Sequence, residues 1–264
     1  MRPGRLLEPL LPRPETGGRL PRAAVGVTVG LALLGAVVLV LGQQLFGLSA
    51  GSGPGVGAAT RSAANQVRGA DGSYAFTLVQ PSDPDRPVTW DPCRVIPVEV
   101  NDRLAPPGAG SVLNDALAEV GRASGLRFQM VGRTDRQPAG RRTGSVPRRQ
   151  PALVVWTTPE RLPELRGDIA GVGGSTARPA ARTSELEYVT GVVALDAPQL
   201  EQVLARPGGE ERTRAVVVHE LAHLVGLDHV DDPEELMYAD NVGRLELGPG
   251  DREGLAALGD GTCH

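Results

Sequence analysis

The sequence predicts an α+β domain behind one N-terminal membrane helix. Three observations carry this reading. An uncharged apolar run of nineteen residues lies near the start, strand-like and helix-like segments interleave from residue 74 onward, and three of the four histidines stand in one eleven-residue window. With 264 residues the chain has room for one or two domains. Its net charge of -4, with every one of its 27 basic residues an arginine, gives no global pull toward nucleic acid or anionic lipid, so no nucleic-acid partner is expected. Hydrophobic content of 41% excludes disorder throughout, while 35 Gly, 23 Pro and few aromatics predict long loops and a core of Val, Leu and Ala. Two cysteines exclude a disulfide-dense scaffold and a four-cysteine zinc site.

Residues 23–41, AAVGVTVGLALLGAVVLVL, contain one polar side chain, Thr28, and no charge occurs from Ala23 to Thr60. At 1.5 Å per residue such a run crosses a hydrocarbon core of about 30 Å. Residues 1–22 carry five Arg and two Glu, so the positive-inside rule leaves this tail in the cytoplasm and the rest of the chain outside. The expectation is a single-pass membrane protein; a cleaved signal peptide, which would make the remainder secreted, is the competing reading. Residues 42–73 are rich in Gly, Ala and Ser without an apolar period, the composition of a flexible linker.

The expected catalytic-type domain spans 74–264. Within it Val95–Asn101, Leu126–Val131, Ala152–Thr157 and Tyr188–Leu195 read as strands. Ser111–Ser124 reads as a helix with apolar residues at helical spacing, a Ser cap and a terminating Gly125. A second helix is expected over about Glu210–Val225, and a short third over Pro249–Leu258 with Pro at its first position. Residues 133–150 hold six Arg against one Asp but no aromatics, and are read as a solvated loop.

His219-Glu220-Leu221-Ala222-His223-Leu224-Val225-Gly226-Leu227-Asp228-His229 fits H-E-x-x-H-x-x-G-x-x-H at every fixed position. His219 and His223 lie one helical turn apart, so both imidazoles can reach one ion. Gly226 can turn the chain sharply where a continued helix would carry His229 away, making it a third ligand. Three neutral nitrogens leave a tetrahedral zinc one open position, the mark of a catalytic site, and Glu220 is placed as general base. Asp228 is expected to cap or orient the turn, or to support a ligand, and not to act as an acid.

On this motif the chain resembles the zinc endopeptidases of the metzincin clan, closest to bacterial matrixin-like proteins. Glu235-Leu236-Met237-Tyr238 is similar to the methionine turn of that clan. The resemblance implies that Met237 is an apolar floor under the imidazoles and that Tyr238 lines a substrate pocket. Trp90–Arg94, Gly171–Ser175, Gly191–Asp196 and Leu247–Asp251 are weaker similarities that extend the likeness over roughly Tyr74 to Gly259. The implied fold is a twisted mixed sheet over an active-site helix, with extended polypeptide substrate added to an edge strand, expected here to be Tyr188–Leu195. Three features depart from the pattern. Val230 follows the third histidine where matrixins usually place Ser, no Pro-Arg-Cys-Gly latch occurs, and only His264 remains for a second zinc. A structural calcium ion could use Asp196 or the cluster Asp231, Asp232 and Glu234, although acidic surface loops are as a rule simply solvated.

In an oxidising compartment Cys93 and Cys263 are expected to form a bridge, with Cys93 as a latch on the metal the alternative. The combined expectation is a membrane-anchored zinc endopeptidase facing outward. A zinc-containing module that binds peptide without turnover, or a hydrolase of a cell-wall amide, are the alternatives.

Overall fold

A computed structural model describes residues 66–70, 72–138, 150–180, 185–239 and 243–263. The expected cytoplasmic tail, the membrane segment 23–41 and most of the linker 42–73 lie outside the described residues, as does 139–149 of the arginine-rich stretch. Among the described residues no helix is long and apolar enough to cross a membrane. The linker ends earlier than composition suggested. Gln66–Arg68 forms β1, paired antiparallel with β2, Ser73–Phe76. A three-residue strand beside a glycine-rich run has no period of its own to reveal it; its partner strand supplies the order.

A short hairpin follows, of β3 (Val79–Gln80) and β4 (Asp83–Pro87). Then come β5 (Val95–Asn101), α1 (Ala109–Ser124), β6 (Arg127–Arg133) and β7 (Ala152–Thr157). The remainder runs β8 (Gly171–Pro179), β9 (Leu186–Asp196), α2 (Ala197–Leu204), α3 (Gly209–Val225), β10 (Leu227–Asp228) and α4 (Pro249–Gly259). α1 begins two residues before the expected Ser cap. Gly108 occupies the cap position, and the Ser111 hydroxyl instead donates to the Gly108 carbonyl at 2.8 Å. The expected end holds, since the Gly125 N–H closes the last turn on Gly121.

The main sheet has the order β6-β5-β7-β9-β8, parallel except for β8, which runs antiparallel to β9. This corrects the expected substrate edge: Tyr188–Leu195 lies inside the sheet, in β9, and the edge is β8. The physical reason is burial on both faces. Val193 and Leu195 enter the main core, while Ala194 joins Leu153, Val155, Leu162 and Leu165 on the opposite face. An interior strand of this kind reads as a near-continuous apolar run, whereas β8 is glycine-rich and ends on a proline that cannot donate to a ladder. The main core lies between the sheet and the helices, where Leu113, Ala116 and Val120 of α1 meet Val218, Leu221 and Leu224 of α3. Cys93 and Cys263 are joined, with Cα atoms 5.4 Å apart, tying the segment before β5 to the tail after α4.

Candidate metal centre

α3 carries the first two histidines because its apolar residues face the core and leave one stripe, His219 and His223, partly exposed at its C-terminal half. The helix stops at Gly226, whose φ of +130° is a conformation that L side chains rarely adopt, and whose N–H closes on the Ala222 carbonyl at 3.0 Å. The chain reverses through β10, which pairs with β2, and delivers His229 opposite the other two.

The hydrogen bonds fix which nitrogen of each ring is available. His219 Nδ1–H donates to the Leu236 carbonyl and His223 Nδ1–H to the Leu227 carbonyl, both at 2.8 Å. A carbonyl only accepts, so the Nε2 atoms of these neutral rings carry lone pairs. Those atoms stand 3.1 and 3.2 Å from His229 Nε2. Nitrogens at about 2.0–2.1 Å from a tetrahedral zinc lie roughly 3.3 Å apart, so the spacing fits that ion. Burial holds all three imidazoles neutral: His219 is pushed down to about 3, His223 downward, and His229 well below its ordinary value. Neutral rings are the form that ligates.

Glu220 is buried on the neighbouring face of α3, and burial pushes its carboxyl up to about 8. It lies against the edge strand β8. A Cβ on Gly171 would come within 2.7 Å of Glu220 Cγ, and one on Gly173 would overlap the Glu220 carbonyl oxygen. The glycines of β8 are therefore what lets the edge strand and the metal-site helix meet backbone to backbone.

The segment under the histidines is held by two carboxylates to which sequence reasoning assigned no role. Asp251 Oδ2 accepts from Leu236 N–H at 2.6 Å and Gly248 N–H at 2.9 Å, and Oδ1 accepts from Met237 N–H at 3.3 Å. Glu235 accepts from Gly250 and Asp251 N–H, each at 2.9 Å, at the start of α4. Leu236, whose carbonyl orients His219, is thereby tied to α4 through Asp251. The only sequence signal was the presence of Asp251 in the weak Leu247–Asp251 similarity. Met237 is buried and its carbonyl accepts from Val230 N–H at 3.0 Å; Tyr238 is half-buried and bridges to Val230. Asp228 Oδ1 accepts from His229 N–H at 2.8 Å, bracing the third histidine from its own backbone.

Three of the four acidic residues considered for calcium have partners within the protein. Asp196 caps α2 by accepting from Gln199 N–H, Asp232 accepts from Glu234 N–H, and Glu234 pairs with Arg244. Among the described residues, one further trio of potential ligands, Asp91 with Cys93 and Cys263, converges, but its two sulfurs are bonded to each other. Cys93 thus has no free thiolate to latch a metal.

Residues 178–258 match the family model described as Matrixin, a stretch that runs from the end of β8 through α3 and the methionine turn into α4. The matrixin-like resemblance read from the motif is carried by these residues, and at family level it supports a zinc metalloprotease. No curated protein matches the chain. Among solved structures, the GM1 bound form of the ECX AB5 holotoxin aligns at a TM-score of 0.39 and 13% identity over 66% of this chain and 83% of that one.

Proposed function

We propose that this chain is an outward-facing zinc endopeptidase, held at the membrane by residues 23–41. The observation that carries the reading is the convergence of three imidazole Nε2 atoms beside a buried glutamate that packs against the edge strand β8. His219, His223 and His229 would hold the zinc. The bound ion would supply Lewis acidity toward a peptide carbonyl and lower the pKa of water toward about 7.

The remaining roles belong to the chain itself. The outer edge of β8 offers backbone N–H and C=O groups to which an extended substrate can add as a further strand. Glu220, pressed against that strand, takes a proton from the attacking water and returns one to the departing amine. The Leu236 and Leu227 carbonyls fix the ring orientations of His219 and His223, and Asp228 braces the backbone of His229. The Cys93–Cys263 bridge supports placement in an oxidising compartment.

The test is cleavage of a mixed peptide library by the full-length chain loaded with zinc, read by mass spectrometry beside the Glu220→Ala variant. Internal cuts made by the parent and lost in a variant that retains zinc are the expected result. If a folded, zinc-loaded parent leaves every peptide intact, the proteolytic reading fails and a zinc-containing peptide-binding module takes its place.

A further inference from the structure

We propose that β6, the opposite edge of the sheet, is a second docking site for extended polypeptide, which adds a strand there and lowers one bulky apolar side chain into a cavity beside Met130. The use of such a site by substrate rests on the endopeptidase reading; the binding itself does not.

The first observation is the edge. Among the described residues β6 pairs only with β5, so alternate N–H and C=O groups along it face away from the sheet. Strand edges in natural proteins are commonly guarded by charge, by proline or by covering elements. Here Phe128 to Gly132 carry no charge, and Met130 and Val131 are 50% and 49% exposed, among the most exposed large apolar side chains of the described residues. Of the flanking arginines, Arg127 donates to the Cys93 carbonyl, and the exposed Arg133 pairs with Asp102 at 2.7 Å. An uncharged row of backbone groups is complementary to another polypeptide backbone.

The second observation is a cavity of about 540 Å³ at the same place. Val100, Leu113 and Trp156 belong to its lining, with Met130 and Gly132 contributed by β6. It opens because the register between β5 and β6 slips after Val98, and because Gly132 puts no side chain where the slipped strand would otherwise fill the space. A cavity of this size, with Val100, Leu113, Met130 and Trp156 as its apolar lining and Asp102, Asn114 and Arg133 as its polar part, is in the range that takes a ligand group. Trp156 is 2% exposed and its indole Nε1–H is buried without an acceptor, a state that costs stability unless something completes it. An open backbone edge next to an apolar recess is the arrangement by which strand addition gains affinity from the main chain and selectivity from side chains.

β6 and β8 are four strand spacings apart, roughly 19 Å. A peptide of about six residues, at most ~20 Å when extended, cannot lie along β8 and also round the sheet to β6. A long unfolded chain can.

The experiment uses the full-length chain with Glu220→Ala to prevent turnover and fluorescein-labelled β-casein as an unfolded probe, with affinity read by anisotropy. Met130→Glu places charge at the recess, and Asn114→Phe fills its mouth from α1; both positions are exposed, so folding is not at stake. Gln129→Glu puts the same charge on the same strand away from the cavity. The expected result is a Kd raised about tenfold or more by the first two and by less than about twofold by the third. In the Glu220 background the same variants should raise KM for β-casein and leave kcat/KM for a six-residue peptide unchanged. Equal affinity across the four chains, or no binding by the parent, overturns the inference. Failure of the parent to cut the short peptide overturns the endopeptidase reading, and the pattern of Kd values still decides whether β6 docks a strand.

Discussion

Substituting Asp251 by Asn isolates a single buried ionisation beneath the metal site. Asp251 has no exposed surface, and its carboxyl is pushed from 3.8 up to about 6, with burial the largest cause and three backbone donors opposing it. Because the folded state holds this proton more tightly than the unfolded state, stability contributed at this position is highest below pH 3.8. It falls as pH rises through about 6 and is flat above. At about 1.4 kcal/mol per unit, the loss between pH 4 and pH 7 is about 2 kcal/mol, part of the total having gone by pH 4. The three imidazoles act in the opposite sense. Their folded pKa values are lowered, so they cost stability as pH falls below 6.5, but they do so equally in both proteins. The difference between parent and Asp251→Asn therefore reports Asp251 alone. Urea unfolding followed by circular dichroism, with chelator present, should give a difference at pH 4 set by the acceptor that Asn lacks toward the Leu236, Met237 and Gly248 N–H groups. By pH 7 the balance should have moved by about 2 kcal/mol toward the variant. A difference that stays flat across this range would refute the argument, because it would mean that the backbone donors alone set the ionisation of Asp251.

Three further outcomes are expected. Gly226→Ala forces a side chain into a φ of +130° and against Tyr188 and Leu258, which should destabilise the chain by about 1–3 kcal/mol and weaken zinc retention in a chelator competition, through misplacement of His229. Gly173→Ala pushes β8 off the Glu220 backbone, so cleavage should drop sharply while zinc content, measured by atomic absorption, stays near one per chain. Cys263→Ser opens a loop of 170 residues and should cost on the order of 4–5 kcal/mol in the chain-entropy account, visible as an earlier urea midpoint.

The parts of this molecule that were legible in sequence are those whose signal is local. The span of α3 and the convergence of His219, His223 and His229 follow from helical spacing and one glycine, and the structure places them as the spacing demands. β5 and β7 have the boundaries that alternation and apolar runs suggested. What could not be read was partnership. Tyr188–Leu195 is a strand, but nothing in its own residues says that Gly171–Pro179 will lie outside it and take over the edge. α2 was missed because eight residues behind a proline carry too little period to be noticed. Asp251 and Glu235 look like ordinary surface acids until the fold folds α4 back onto the methionine turn.

The glycines that hid β8 are also what make the candidate site a single mechanical unit. A strand of larger side chains would have announced itself in the sequence and would have held α3 at a side chain's distance, away from the edge where a peptide can add. With Gly171 and Gly173 in place, β8 touches the helix at Glu220. Two residues farther along the strand, Ser175 donates to the Leu224 carbonyl at 2.5 Å, and Trp90 donates to the same oxygen at 2.9 Å. That carbonyl belongs to the last turn of α3, one residue after His223, where helical acceptors have no partner within the helix. Trp90 in turn sits three residues before the Cys93–Cys263 bridge. The edge strand β8, the last turn of the helix that carries His223 and the disulfide-anchored segment therefore converge on one backbone oxygen.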